Sequence, residues 1–379
     1  MNSTSSSLNN QIKERESGIE LFRIITMILI IAHHYVVNSG LWGAEGPIMS
    51  SPMSGKSLFL LLFGAWGKTG INCFVFITGY FMCKSKITAK KFLKLLLEVE
   101  FYKILFYVIF FITGYTEFSL RGLVKTLLPI TQVKSNFTGC YLLFFLCIPF
   151  LNIFIKNVTE KQHIYATALL CFIYVILGTA FGKNINMNYV SWFAVLYLIA
   201  SYIRLYPKKI FSNRKFWGIT ASLMIAFSMA SVIFFTWLGK PRFDTYYLLQ
   251  DSNKAFSVLT ALSVFLYFKN LKFRSAFVNT VAASCFGVLL IHANSTVMRK
   301  WLWYDILDNA GMFNSQWLII HAVTSIIGIY IACTVIDYLR IKYLEKPFFS
   351  FADKYIDKIA QAYKKTEQKI CKRLQITED

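Results

Sequence analysis

Apolar runs of roughly 20 residues, each long enough to cross a bilayer, recur from one end of this sequence to the other. Candidate spans are read at 19–37, 57–82, 92–114, 138–155, 162–181, 188–206, 215–238, 253–271, 278–297 and 316–340, ten in all. The predicted fold class is an all-α polytopic membrane protein. Composition agrees: 56% of the 379 residues are hydrophobic and 16% are charged, against about 25% charged in a soluble domain. Extended disorder, collagen and a small disulfide-rich scaffold are excluded on the same grounds. The second run is interrupted by Gly64, Gly67, Gly70 and Gly79, so a tilted or broken helix is expected there.

The formal net charge is +21, from 40 Lys and Arg against 19 Asp and Glu. In a soluble chain that balance would point to nucleic acid. Here it fits the surplus of Lys and Arg in the cytoplasmic loops of membrane proteins, and no nucleic-acid partner is expected. Most of the 40 lie in the N-terminal tail, in alternate loops and beyond Arg340, the C-terminal tail giving the largest share. This bias predicts that both termini face the cytoplasm. Residues 1–18 are polar and read as a flexible tail, 19–343 as the membrane domain and 344–379 as a basic tail. In that last segment Phe348, Phe351, Tyr355, Ile359 and Tyr363 interleave with lysines, the pattern of an amphipathic helix lying on the inner leaflet. The eight Cys are scattered without a CxxC pair, and no metal-ligand spacing appears.

The first run carries the chemistry. Glu20 and Arg23 stand one helical turn apart, and His34 follows eleven residues after Arg23. Eleven steps of about 100° come to about 20° beyond three turns, so Arg23 and His34 share a helix face, about 16 Å apart along the axis. Ionisable groups inside a membrane helix are costly and usually functional. The competing reading has Arg23 reaching back to the headgroups and His34 lying at an interface. His33 points about 100° away and suits packing or a supporting role.

The stretch Gly18-Ile-Glu-Leu-Phe-Arg23 with His33-His34-Tyr35 resembles the opening of the acyltransferase family 3 membrane proteins. Further matches follow in order. Gly67 to Phe81, ending in Thr78-Gly79-Tyr80, resembles that family's glycine-rich second span. Leu128-Pro129-Ile130 and Tyr141 to Asn152 resemble its fourth-helix region, and Cys285-Phe-Gly-Val-Leu-Leu-Ile-His292 resembles its late histidine element. Two departures, Asn136-Phe137 and Leu289, bear on acceptor preference. The resemblance covers about residues 15–350. It implies transfer of an acyl group, usually acetyl, from cytoplasmic acyl-CoA to a hydroxyl of a capsule, exopolysaccharide, O-antigen or other lipid-linked glycan. The expected location is the bacterial inner or cytoplasmic membrane.

On that reading His34 is the expected base, or a transient acyl carrier, because a neutral imidazole can take a hydroxyl proton. His292 admits a functional or a packing reading, and His321 reads as packing. Arg23, with Gly79, Tyr80, Lys84, Lys91 and Lys94 near the inner end, is expected to meet the phosphates of acyl-CoA; the lysines also fit a plain topological bias. Glu98 is expected to line the cavity or to pair with Lys68, and Glu100 to pair with Lys103 one turn away. The rival class is a secondary transporter or a glycan flippase or export component, in which the same buried charges would mark a substrate path.

Overall fold

Hydrocarbon offers no water to the peptide group, so a chain that spans it must close its hydrogen bonds within helices or in a closed barrel. The computed structural model describes residues 16–43, 45–128, 137–180, 188–239 and 244–353, together with 355, 365, 366 and 368. Among the described residues it takes the helical solution, and no strand occurs.

The principal helices are α1 (Gly18–Val37), α2 (Gly55–Gly64), α3 (Gly67–Met82), α4 (Ala89–Ile112), α5 (Phe137–Asn157), α6 (Glu160–Cys171, carried on to Ala180), α7 (Tyr189–Leu205), α8 (Arg214–Leu238), α9 (Ala255–Lys269), α10 (Ala276–Ala283), α11 (Cys285–His292) and α12 (Leu318–Arg340). A helix stands at each of the ten apolar runs. Length and composition nevertheless qualify six as membrane-crossing, or seven if one bent pair counts as a span, among the described residues. The other four runs fall short, for three reasons. α4 carries Glu98, Glu100 and Lys103 within its apolar stretch. α7 and α9 are 17 and 15 residues long, about 25 and 22 Å at 1.5 Å per residue. The run read as 278–297 ends at His292, where the chain turns by 90° into Thr296–Asn314.

α1 lies at the centre. It packs against α2, α3, α9, α10, α11 and α12, so the helix with the densest chemistry is walled by protein. By contrast, the spans built on α6 and α8 bury 17% of their apolar windows, against 56% for α1, and so form the lipid-facing rim. The expected break in the second run falls between Gly64 and Gly67, while α2 and α3 continue as one 28-residue span. Glycine is needed there because α1 approaches so closely. A Cβ on Gly64 would stand 2.8 Å from Val36, one on Gly70 2.7 Å from Ile30, and one on Gly67 2.2 Å from the His33 ring.

At the far end α12 runs on through a π-helical turn, Ile341–Glu345, to Asp353. The helix thus crosses the boundary expected at 344 without interruption. Most of the basic tail after Asp353, residues 1–15, Pro129, Ile130 and Asn136 lie outside the described residues.

Candidate active site

The two residues singled out on α1 sit in neighbouring cavities. Arg23 opens onto a cavity of about 220 Å³ with Thr78, Glu98, Tyr141, Cys285 and Phe286 on its wall. His34 opens onto one of about 250 Å³ with His33, Lys68, Lys103, Asn294 and Arg299. Phe74, Phe137 and Leu289 line both. The cavities therefore abut at an apolar throat made by three side chains from α3, α5 and α11, and the path between them follows one face of α1.

Hydrogen bonds fix the proton positions at the His34 end. His292 is buried, and its Nδ1 lies 2.6 Å from the Val288 carbonyl. A carbonyl only accepts, so Nδ1 of His292 carries the proton and its Nε2 is left as an acceptor. Nδ1 of His34 lies 3.0 Å from that Nε2 and must donate to it when both rings are neutral. The lone pair of His34 is thereby placed on Nε2. This is the logic by which one side chain sets the tautomer of a reacting imidazole. The ring can then accept a proton without first changing tautomer.

His33 serves a different purpose. Its Nδ1 donates to the Gly64 carbonyl at 2.6 Å, satisfying an acceptor left open where α2 ends, and its ring fills the space that Gly67 leaves. His321 lies apart from the pair, with Nδ1 2.8 Å from the Tyr35 hydroxyl.

At the other end Arg23 pairs with Glu20, Nη1 to Oε2 3.4 Å, with the glutamate buried and the arginine a quarter exposed. Tyr141 donates to Thr78 Oγ1 at 3.0 Å, while that hydroxyl donates to the Phe74 carbonyl, so the wall opposite Arg23 is polar and fixed. Glu98 does line the Arg23 cavity, but its charge is held by Arg340 at 3.0 Å. The same guanidinium also grips Asp337 at 2.9 Å and Glu345 at 2.8 Å. Lys68 turns instead to the Tyr189 hydroxyl at 2.8 Å and to Asp251 at 3.9 Å. Glu100 makes no ion pair with Lys103 within 4 Å.

The groups expected to meet acyl-CoA do not gather on one wall. Gly79 faces α7, where a Cβ would stand 2.8 Å from Ala200 and 3.1 Å from Tyr197 Cα; it is a packing glycine, away from the cavity. Tyr80 lies under Arg204, whose guanidinium is 4.7 Å from the ring and 2.9 Å from its hydroxyl. Lys94 is held by Glu345 at 2.6 Å, Lys91 donates to the Lys86 carbonyl at 2.8 Å, and Lys84 is exposed. None of these residues lines the Arg23 cavity.

Sequence reasoning passed over Arg340, Asp337, Arg204 and Arg299. Asp337 and Arg340, three residues apart inside an apolar run, carried the same signal as Glu20 and Arg23. Arg340 was hidden at the edge of a basic tail. The phrase Phe286-Gly287 has a plain cause: a Cβ on Gly287 would stand 2.1 Å from the Asp337 carboxylate. Among the described residues no group of three His, Cys, Asp or Glu is placed to hold a metal ion.

No curated protein and no solved structure matches this chain. A family model described as an acyltransferase domain matches residues 16–338, a segment that begins two residues before α1 and ends two before Arg340. By that match, which takes in both cavities and, but for the last two residues of α12, every helix of the bundle, the chain belongs to acyltransferase family 3.

Proposed function

We propose that this membrane acyltransferase moves an acetyl group from cytoplasmic acetyl-CoA to a hydroxyl of a cell-surface or lipid-linked glycan, across the bacterial cell membrane. The observation that carries the reading is the pair of abutting cavities, one holding Arg23 and the other His34. The Arg23 cavity, about 220 Å³ and polar where Thr78, Glu98 and Tyr141 line it, suits the pantetheine arm of the donor. The nucleotide phosphates stay at the mouth, where a guanidinium provides forked, permanent charge. With the Arg23 end cytoplasmic, as the charge bias argues, the thioester reaches the throat at Phe74, Phe137 and Leu289.

The acceptor hydroxyl enters the His34 cavity from the opposite side. Its proton passes to His34 Nε2 as its oxygen attacks the thioester carbonyl. The carbon–sulfur bond then breaks, the departing thiolate takes the proton back, and the products are an ester and free CoA. His292 holds the tautomer and spreads the charge that His34 gains. With His34 as a transient acyl carrier instead, Nε2 itself attacks the thioester carbonyl and the thiolate departs; the acceptor's proton then needs another base, since Nε2 is occupied. Transport of an intact solute would need no thioester, and membership of an acyltransferase family favours the enzyme.

The test is purified protein in nanodiscs, given labelled acetyl-CoA and lipid-linked glycan from the parent cell envelope. Release of free thiol should match label incorporated as ester. His34→Ala should lower kcat by about 10²- to 10⁴-fold. Arg23→Lys, which keeps the charge beside Glu20 but loses the fork, should mainly raise the KM for acetyl-CoA, by roughly tenfold. A folded His34→Ala protein that transfers at the normal rate contradicts the assignment.

A further inference from the structure

The His34 cavity continues outward into a third, larger one of about 470 Å³. Lys103, Asn294 and Arg299 line both, so this is the space through which an acceptor would reach the imidazole. Its wall is basic: Lys103, Lys125 and Arg299 face it, with Glu117 as the one carboxylate among the residues that line it.

Arg299 is the unusual member. Arg340, the comparable cation at the other end, is closed by three carboxylates. Among the described residues Arg299 has no carboxylate within ion-pair distance, and its Nε is buried without a hydrogen-bond partner. A half-buried guanidinium left in this state is costly. It also stands beside the imidazole pair, lining the same cavity as His34. Lys103 is likewise half-buried, and its acidic neighbour Glu100 is too far for an ion pair. A site that keeps two under-compensated cations next to a proton acceptor is built for an anion that arrives with the substrate.

We propose that the acceptor is anionic: a phosphate or carboxylate close to the reacting hydroxyl docks on Arg299 and Lys103, with Lys125 at the rim, and this contact aims the hydroxyl at His34. The inference rests on the acyl-transfer reading and names the acceptor class for it. Two sources share the chemistry, the diphosphate of a lipid carrier and the carboxylate of an acidic sugar. Arg299 and Lys103 act here as acceptor-binding groups that supply orientation rather than bond-making.

The test uses the full chain in nanodiscs of zwitterionic lipid, with binding followed calorimetrically for three probes: inorganic pyrophosphate, glucuronate and glucose. At least one anion should bind saturably, more weakly as salt rises, and glucose should not. Arg299→Gln should weaken anion binding at least tenfold, with partial recovery in Arg299→Lys. A preference for pyrophosphate assigns the site to a lipid-carrier diphosphate, and a preference for glucuronate assigns it to an acidic sugar. If Arg299→Gln fails to fold, Lys103→Gln and the exposed Lys125→Gln should each weaken binding about threefold. Failure of both anions to bind, or normal affinity in these variants, overturns the proposal. Because this assay needs neither donor nor His34, anion binding without thiol release would remove the acyl-transfer reading and leave the site standing.

Discussion

At the scale of single residues, the proposed proton transfer turns on which nitrogen of each imidazole holds a proton. The Val288 carbonyl decides it for His292, and His292 decides it for His34. A positioning role of this kind has a distinctive signature. His292→Ala should lower kcat roughly ten- to a hundredfold, as loss of an orienting partner does, with little change in the KM for the donor. His292→Gln restores a side-chain oxygen able to accept from His34 and should recover part of the rate. Equal loss in both variants, together with a raised donor KM, would show a structural role instead. The candidacy of His34 was legible because a three-turn spacing from Arg23 survives any error in helix boundaries. The role of Arg299 was not legible: it lies past the end of α11, in a segment whose 90° turn no periodicity announces. The lysines after α3 are ambiguous for a different reason, since a topological charge bias and a phosphate site share one composition.

Elements explain why the residues can meet. The helix break between Gly64 and Gly67 frees a carbonyl for His33 and lets α1 approach within the reach of a missing Cβ. Gly67→Ala would set a methyl 2.2 Å from His33 Cδ2, an overpacking that should cost about 1–3 kcal/mol. Gly287→Ala would press on Asp337 and, through it, on Arg340 and the Tyr102 hydroxyl that donates to the same carboxylate oxygen at 2.8 Å. Thermal melts of both variants in detergent should fall below the parent, and an unchanged melt for Gly287→Ala would deny the packing role given to that glycine. The glycine spacing announced a break in the sequence, yet the direction in which each glycine faces depends on which helix arrives there. Gly70 meets α1 and Gly79 meets α7, a distinction that rests on long-range packing.

For the whole molecule, the apolar runs made the helical class plain, because lipid leaves the backbone so few options. How many helices cross was less plain, since α4 is charged while α7 and α9 are short. Loop charge predicts the sidedness, and labelling can read it directly. In a background where Cys147, Cys171 and Cys371 are Ser, Ser51→Cys should react with an impermeant maleimide added to intact cells. Lys84→Cys should react only after the membrane is opened. The reverse pattern would invert the donor and acceptor sides assigned here.

On the proposed route an acyl group passes along one face of α1, from the Arg23 cavity to the His34 cavity, while CoA stays behind. Sealed vesicles carrying the protein, with labelled acetyl-CoA trapped inside and envelope glycan outside, test it most directly. Label should appear as ester on the external glycan while CoA remains in the lumen, and Phe74→Trp, which narrows the throat, should slow it more than it slows donor binding. Ester found solely on glycan sharing the donor's compartment, at rates Phe74→Trp leaves unchanged, would contradict it.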